Sequence, residues 1–421
     1  MTGAVRIARL GHLGDGVARA EGRPLYVPRS LPGEVVEGAR QGDRLLAPRI
    51  RTPAPERVRP SCPHYAGCGG CALQHAADAF VAGWKQEVVA QALAAQGLSA
   101  PFRPIRTSPA FSRRRATFAV KRTKSGAIVG FHAPRSSAVA DTPECRLVDP
   151  ALAAARPGLV AIARAGGSRK GTLSATVTRL DSGLDVAVSG GKTADAALRA
   201  ELAALCDAHG IVRLAWDGEV IAQAERPRLT LGGIAVSPPP GAFLQATEAG
   251  EAALRAAVAE ATEGAARIVD LFAGIGTFAL PLARRAEIHA VEGEAAMVAA
   301  LEAGWRAADG VKRLTAGARD LFRRPLEPDE LAPFDAAVID PPRAGAEAQA
   351  ARLAASPVPR IAAVSCNPAT FARDARVLVA GGYRLHWVQV VDQFRWSPHV
   401  ELAALFARDH IAAEATEGSR A

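Results

Sequence analysis

Apolar and polar positions change rhythm twice along this chain. Up to about residue 55, short apolar stretches at 5–10, 24–28, 34–38 and 44–48 alternate with turns such as Gly14-Asp15-Gly16 and Leu31-Pro32-Gly33. That spacing predicts a small OB-like β-barrel over residues 1–55. Arg51-Thr52-Pro53-Ala54-Pro55 reads as a linker. A helix is expected over about 76–96. Strands are expected at 115–122, 126–133, 173–180, 183–190 and 228–236, with helices near 150–165 and 193–209. Residues 56–243 therefore read as a central α+β domain. From 244 to 421 strand and helix alternate, with strands at 267–273, 287–293, 334–340, 360–366 and 384–392. This predicts a doubly wound, Rossmann-like α/β domain, so the fold class is α/β overall. The tail after about residue 411 reads as frayed.

Composition narrows the class. The chain has 421 residues, 49% hydrophobic and 22% charged, enough for two or three domains with their own cores. No apolar run approaches the ~20 residues that cross a bilayer, and the first residues carry no continuous apolar segment of a signal peptide. A cytoplasmic protein with no membrane partner is expected, and no obligate protein partner is evident. Net charge is +9. Residues 101–140 hold Arg103, Arg106, Arg113, Arg114, Arg115, Lys121, Arg122, Lys124 and Arg135 without one acid. With Phe111 and Phe118 among them, this block reads as a face for RNA phosphates; the alternative is a solvated basic surface. Of six cysteines, Cys62, Cys68 and Cys71 lie within ten residues and Cys145 follows at a distance. The spacing suits zinc or iron–sulfur equally. Cys206, on an Ala/Leu-rich helix, reads as structural.

The later half carries the chemistry. Asp270-Leu271-Phe272-Ala273-Gly274-Ile275-Gly276-Thr277 is a strand entering a glycine turn, and Glu292 stands 22 residues after Asp270. An acid at that distance suits a ribose diol. A third glycine, which a dinucleotide fold wants, is missing, and S-adenosylmethionine tolerates that. Asp340-Pro341-Pro342-Arg343 resembles the Asp/Asn-Pro-Pro turn of amino-methylating enzymes, but Arg343 stands where they have an aromatic. Cys366, in Ser365-Cys366-Asn367-Pro368, ends a buried strand before a helix, where a thiol can have a lowered pKa. Glu401 borders an apolar strand and needs either a partner such as Arg395 or a role as a base. Thiol and carboxylate together point to methylation of a ring carbon, which becomes nucleophilic only after a thiolate adds beside it.

The loop 365–374 and His399-Val400-Glu401 resemble the nucleophile and base segments of the S-adenosylmethionine-dependent RNA 5-methyluridine methyltransferases, along nearly the whole chain. The likeness is greatest to the TRAM-containing, iron–sulfur enzymes of 23S rRNA. It implies Cys366 as nucleophile and Glu401 as base. It implies Gln245, Phe272, Thr277, Glu292 and Asp340 as donor-binding positions. It also implies Cys62, Cys68, Cys71 and Cys145 as ligands of a [4Fe–4S] cluster, and residues 1–55 as a TRAM domain. Departures are Thr277 and Thr247 where the family often has Asn, a segment 301–310 without its usual asparagines, and no aromatic in 112–115. They touch donor contacts and substrate fit more than bond-making. The expected RNA is 23S rRNA, with tRNA or a non-catalytic RNA-binding role as alternatives.

Overall fold

The computed structural model describes residues 2–408, so the tail beyond 411 lies outside the described residues. Its largest sheet has eight strands. Their spatial order is Leu314–Ala318, Glu287–Glu292, Arg267–Leu271, Ala336–Ile339, Arg360–Ser365, Glu401–Ala407, Arg384–Asp392 and Phe102–Thr107. The first five run parallel, and Glu401–Ala407 is antiparallel to both neighbours. From Arg267–Leu271 the chain first builds outward on one side, then on the other. α/β folds place ligands at the carboxyl ends of strands beside such a reversal. Two apolar clusters cover the faces, one with Leu254, Val258 and Leu301, the other with Val89, Leu353 and Phe371. Burial on both faces explains why Ala336–Ile339 is apolar throughout.

Two pieces of this domain come from far upstream. Phe102–Thr107 pairs in parallel with Arg384–Asp392 at the sheet edge, where its Pro104 needs no ladder donor. Helix Asp78–Ala94 lays Val89 and Leu93 on the sheet. The short edge strand has no clear alternation, so the sequence pattern does not announce it.

The first six strands, from Thr2–Arg6 to Arg44–Thr52, form one sheet that curls so that Ile7, Ala18, Leu25, Val36 and Leu45 meet. Gly16 permits this closure: a Cβ there would lie 2.9 Å from Ile7. The expected linker is packed instead. Its strand runs on to Thr52, and Ala54 is buried with Leu10, Leu31 and Leu73.

The central seven-stranded sheet contains the expected strands Arg115–Arg122, Leu173–Leu180 and Gly183–Ser189. It also holds Ile211–Trp216, whose six residues are all buried and show no alternation to read. The expected strand 228–236 is instead a hairpin, Leu229–Leu231 with Ile234–Val236. Gly232 and Gly233, at φ 57° and 81°, form the two-residue turn that splits it.

The basic block is also used differently. Arg114 is buried against Glu251, and Arg103 pairs with Glu260 at 2.6 Å while its guanidinium covers Trp387. These arginines tie the central segment to the large sheet. Arg106, Lys121, Lys124 and Arg135 keep exposed faces.

Lys85 makes the most buried of these ties. Val81, Lys85, Val89 and Leu93 form one inward stripe of helix Asp78–Ala94. The Lys85 ammonium donates to Asp392 Oδ1 at 2.5 Å and to the Phe394 carbonyl at 3.1 Å. Removing one partner of a buried pair strands the other charge. Lys85→Ala is expected to lower unfolding free energy by about 3–5 kcal/mol. Lys85→Met with Asp392→Leu, which strands no charge, should cost less. Denaturant titrations check both, and equal losses would show that pairing is not the source.

Candidate active site

Five separate stretches of sequence deliver their polar residues to one end of the large sheet. Glu292 ends its strand, and Phe272, Asp340 and Cys366 directly follow theirs. Glu401 opens an antiparallel strand, so its first residue reaches the same end. The register pairs Ser365 with Leu402, placing Cys366 and Glu401 on adjoining strands.

Beside the glycine turn, Glu292 accepts from the Gly274 amide at 2.9 Å and the Glu294 amide at 3.0 Å. This fixes the carboxylate while leaving acceptor capacity free. Phe272 has φ 63°, an uncommon conformation for a non-glycine, and its ring centroid lies 5.5 Å from that of Phe322. Gly276 has φ 94°, and a Cβ there would meet Leu280 at 2.8 Å. Thr277 is half-buried beside it. Asp270 is fully enclosed; among the described residues neither oxygen has a hydrogen-bond partner of full geometry, and the Ala279 amide offsets only part of its burial. Burial, then Asp340, holds its pKa well above the usual carboxylate range. Gln245 faces Asp340 Oδ2 at 3.5 Å.

Cys366 is half-buried, and its pKa is pushed up to about 11. Burial is the main cause, Glu401 and Asp340 add to it, and Arg343 opposes them. The sequence suggested a lowered pKa at a helix start. Helix Pro368–Ala380 does begin there, but the Asn367 side chain caps it by accepting from Ala369 at 3.1 Å. Burial first, and then two nearby carboxylates, outweigh what remains of the helix dipole.

Glu401 is buried, and its pKa is raised by burial first and Asp340 second, against Gln393 and Arg343. Asp340 keeps a partly exposed edge but sits deep among protein atoms, and burial raises it as well. Arg395 is not the partner of Glu401. It binds Asp78 at 2.6 Å and the Ser108 carbonyl at 3.1 Å. Sequence reading also missed Gln393, which donates to Glu401 at 3.0 Å, and the pairing of Arg343 with His399. Arg343 stands 3.2 and 3.3 Å from the two ring nitrogens of His399, so it lies over the imidazole. Burial, then Arg343, lowers the His399 pKa and favours the neutral ring. No motif flagged Gln393, and the motifs that hold Arg343 and His399 gave no sign of their pairing, because both contacts are made across the sheet.

Beside Cys366 opens a cleft of about 880 Å³. Its walls include Leu10 of the N-terminal sheet and Leu13 of the turn that follows it, Phe80 and Trp84 of helix Asp78–Ala94, and Arg343 with Cys366.

The four clustered cysteines are free thiols, close enough to act on one another electrostatically. Burial, with the other three thiols adding, pushes Cys71 up to about 12. The Gly70 amide donates to Cys68 Sγ at 3.3 Å. Among the described residues no three His, Cys, Asp or Glu side chains gather as a metal ion requires. The loop reaches the active site through its backbone: the Ala72 and Leu73 amides donate to the Trp396 carbonyl at 2.8 and 3.0 Å. Cys206 is buried in the central core.

Because the thiolate is the reactive form, Cys366 should alkylate slowly near pH 7 and faster as pH rises toward 11. Glu401→Gln removes a charge that disfavours the thiolate, so it should speed alkylation at pH 8 by roughly threefold or more. Iodoacetamide labelling read by peptide mass spectrometry checks both.

Comparison with known proteins gives a consistent result. Residues 239–409 match the family model described as tRNA (Uracil-5-)-methyltransferase. An uncharacterised RNA methyltransferase of Brucella suis is 44% identical, covering 97% of this chain and 98% of its own. The 23S rRNA (uracil(1939)-C(5))-methyltransferase RlmD of Halomonas elongata is 34% identical, covering 94% and 87%. The fold matches that of the Pyrococcus abyssi tRNA (uracil-54, C5)-methyltransferase, solved with S-adenosyl-L-homocysteine. The TM-score is 0.72 over 96% of this chain and 99% of that one, at 23% identity. With relatives this similar over nearly its whole length, the chain belongs to the tRNA/rRNA uracil-5-methyltransferase family.

Proposed function

We propose that the protein transfers a methyl group from S-adenosylmethionine to C5 of a uridine in 23S rRNA, through a covalent adduct on Cys366. The observation that carries this reading is the meeting of Cys366, Glu401 and Asp340 at the ends of adjoining strands. The rRNA target rests on the relative named for 23S rRNA, which aligns with 94% of the chain. Transfer RNA is the second substrate to test, because the matched fold is that of a tRNA enzyme.

The donor-binding side chains are Gln245, Phe272, Thr277, Glu292 and Asp340. Their chemistry fits a cationic ligand with a ribose: Asp270, Glu292 and Asp340 crowd together, and among the described residues no cation pairs with them. When bound, S-adenosylmethionine supplies a methyl group on a sulfonium and ends as S-adenosylhomocysteine. The Cys366 proton leaves to water in the adjoining cleft, and Arg343 favours the thiolate. Sγ bonds to C6 of the extruded uracil, and the C5–C6 electron pair moves to an enolate at C4. That pair then forms the bond from C5 to the methyl group. Glu401 takes the C5 proton, the C5–C6 double bond returns and the C6–S bond breaks. Burial raises the proton affinity of Glu401, which suits it to this step near neutral pH.

Residues 1–55 serve as a TRAM RNA-binding barrel, 56–243 as the domain holding the cysteine site, and 244–421 as the methyltransferase domain. The RNA lies in the cleft between the N-terminal sheet, helix Asp78–Ala94 and Cys366. Cys62, Cys68, Cys71 and Cys145 are ligands for a [4Fe–4S] cluster. The chemistry of the set supports this, although no three of the thiols gather at ligand spacing: all four lie in mutual electrostatic reach, an amide donates to Cys68 Sγ, and Arg113 lies near Cys71 and Cys145. A cluster here has no redox step to perform and would brace the loop that holds Trp396.

The adduct is tested with 5-fluorouridine-substituted 23S rRNA and tRNA plus donor. Fluorine at C5 cannot leave as a proton, so an RNA–protein adduct at Cys366 is expected with rRNA and none with Cys366→Ala. Adduct with tRNA alone would move the substrate, and none with either RNA would sink the covalent route. For the cysteines, anaerobic reconstitution should bind about four iron and four sulfide per chain. Cys68→Ser should lower both, and unchanged iron would remove that cysteine from the ligand set.

A further inference from the structure

We propose that Gln393 is a positioning residue whose amide orients the Glu401 carboxylate for proton removal and ties it to Gln245. This rests on the reading of Glu401 as the base. Gln393 follows Asp392, just past the strand end that Lys85 clamps, and its residue is almost wholly buried. The direction of its amide is dictated by its neighbours. The Ala246 backbone N–H can only donate, so the atom 2.8 Å away must be Gln393 Oε1. Nε2 therefore faces Gln245 Oε1 at 2.5 Å and Glu401 Oε2 at 3.0 Å. Both of its hydrogens are then used, one on each partner. Because Gln245 accepts through oxygen, its own Nε2 is left to face Asp340 at 3.5 Å. The two amides thus form a chain of fixed polarity whose ends donate to two buried carboxylates.

Space for this arrangement comes from Gly250 in helix Glu248–Ala261. A Cβ there would lie 2.6 Å from Gln393 Cβ and 3.1 Å from its Oε1. Glu401 has no ion-pair partner among the described residues, so Gln393 is the donor that restrains one of its oxygens. The charged and titratable groups acting on Glu401 are Asp340, Arg343 and Cys366; Asp392, next to Gln393, is spent on Lys85. A donor on the carboxylate favours its ionised form, against burial and Asp340. Loss of that donor makes Glu401 harder to ionise.

The test is the pH–rate profile of single-turnover methylation by the full chain. The variants are Gln393→Leu, which removes the amide, and Gly250→Ala, which displaces it unchanged. Both should move the acid limb upward, Gln393→Leu by about one pH unit, which is roughly tenfold in rate at pH 7 recovered by pH 9. Glu401→Gln is run beside them and should be inactive at every pH. A uniform loss across pH, or an unmoved limb, in Gln393→Leu with Glu401→Gln inactive would overturn the role of Gln393 and leave Glu401 standing. Activity in Glu401→Gln would overturn the base itself.

Discussion

Negative charge concentrated at one end of a sheet is the constraint on which this molecule turns. Asp270, Glu292, Asp340 and Glu401 converge there, and Asp340 acts electrostatically on both Asp270 and Glu401. Burying carboxylates without cations is costly, and at Asp270, Asp340 and Glu401 the cost appears as raised pKa values. Arg343 is the guanidinium that offsets part of it, at Glu401 and at Cys366 alike. Such a field is poor for a resting thiolate and good for a cationic ligand. It ties the readiness of Cys366 to what binds beside it.

Keeping that arrangement requires the segment from Asp392 to Glu401 to stay still, and the protein grips it from several directions. Lys85 holds Asp392 and the Phe394 carbonyl. Arg113 lies 5.7 Å from the Phe394 ring centroid. The cysteine loop holds the Trp396 carbonyl through two amides, and Trp396 itself has φ 58°. An uncommon backbone conformation persists where its surroundings over-determine it. Helix Asp78–Ala94 and the cysteine loop are thus part of the site's support, although both precede the parallel strands of the large sheet between Arg267 and Ser365 by well over a hundred residues.

Where the chain obeys simple periodicity, its elements were legible. Arg115–Arg122 and Leu173–Leu180 fall where alternation put them, and the strand–turn–acid series from Arg267 to Glu292 lies where the glycine pattern put it. Ile211–Trp216 escaped because burial on both faces erases alternation, and Phe102–Thr107 because an edge strand with a proline is barely patterned. The basic run at 103–115 was visible as charge, but whether an arginine meets solvent or a carboxylate 137 residues away is not a local property.

The sequence by itself determined which chemical groups this protein owns and the family it belongs to. A cysteine after a buried strand, an acid before another, and a glycine turn followed by an acid are local facts, fixed by strand ends and turns. Tertiary structure alone decided how those groups behave. It half-buried Cys366 and set it beside two carboxylates, so its thiol is raised where a helix start suggested the reverse. It gave Arg395 to Asp78 and left Glu401 to Gln393. Proton affinity and orientation depend on neighbours at a few ångströms, and those neighbours come from strands that the chain reaches only by folding.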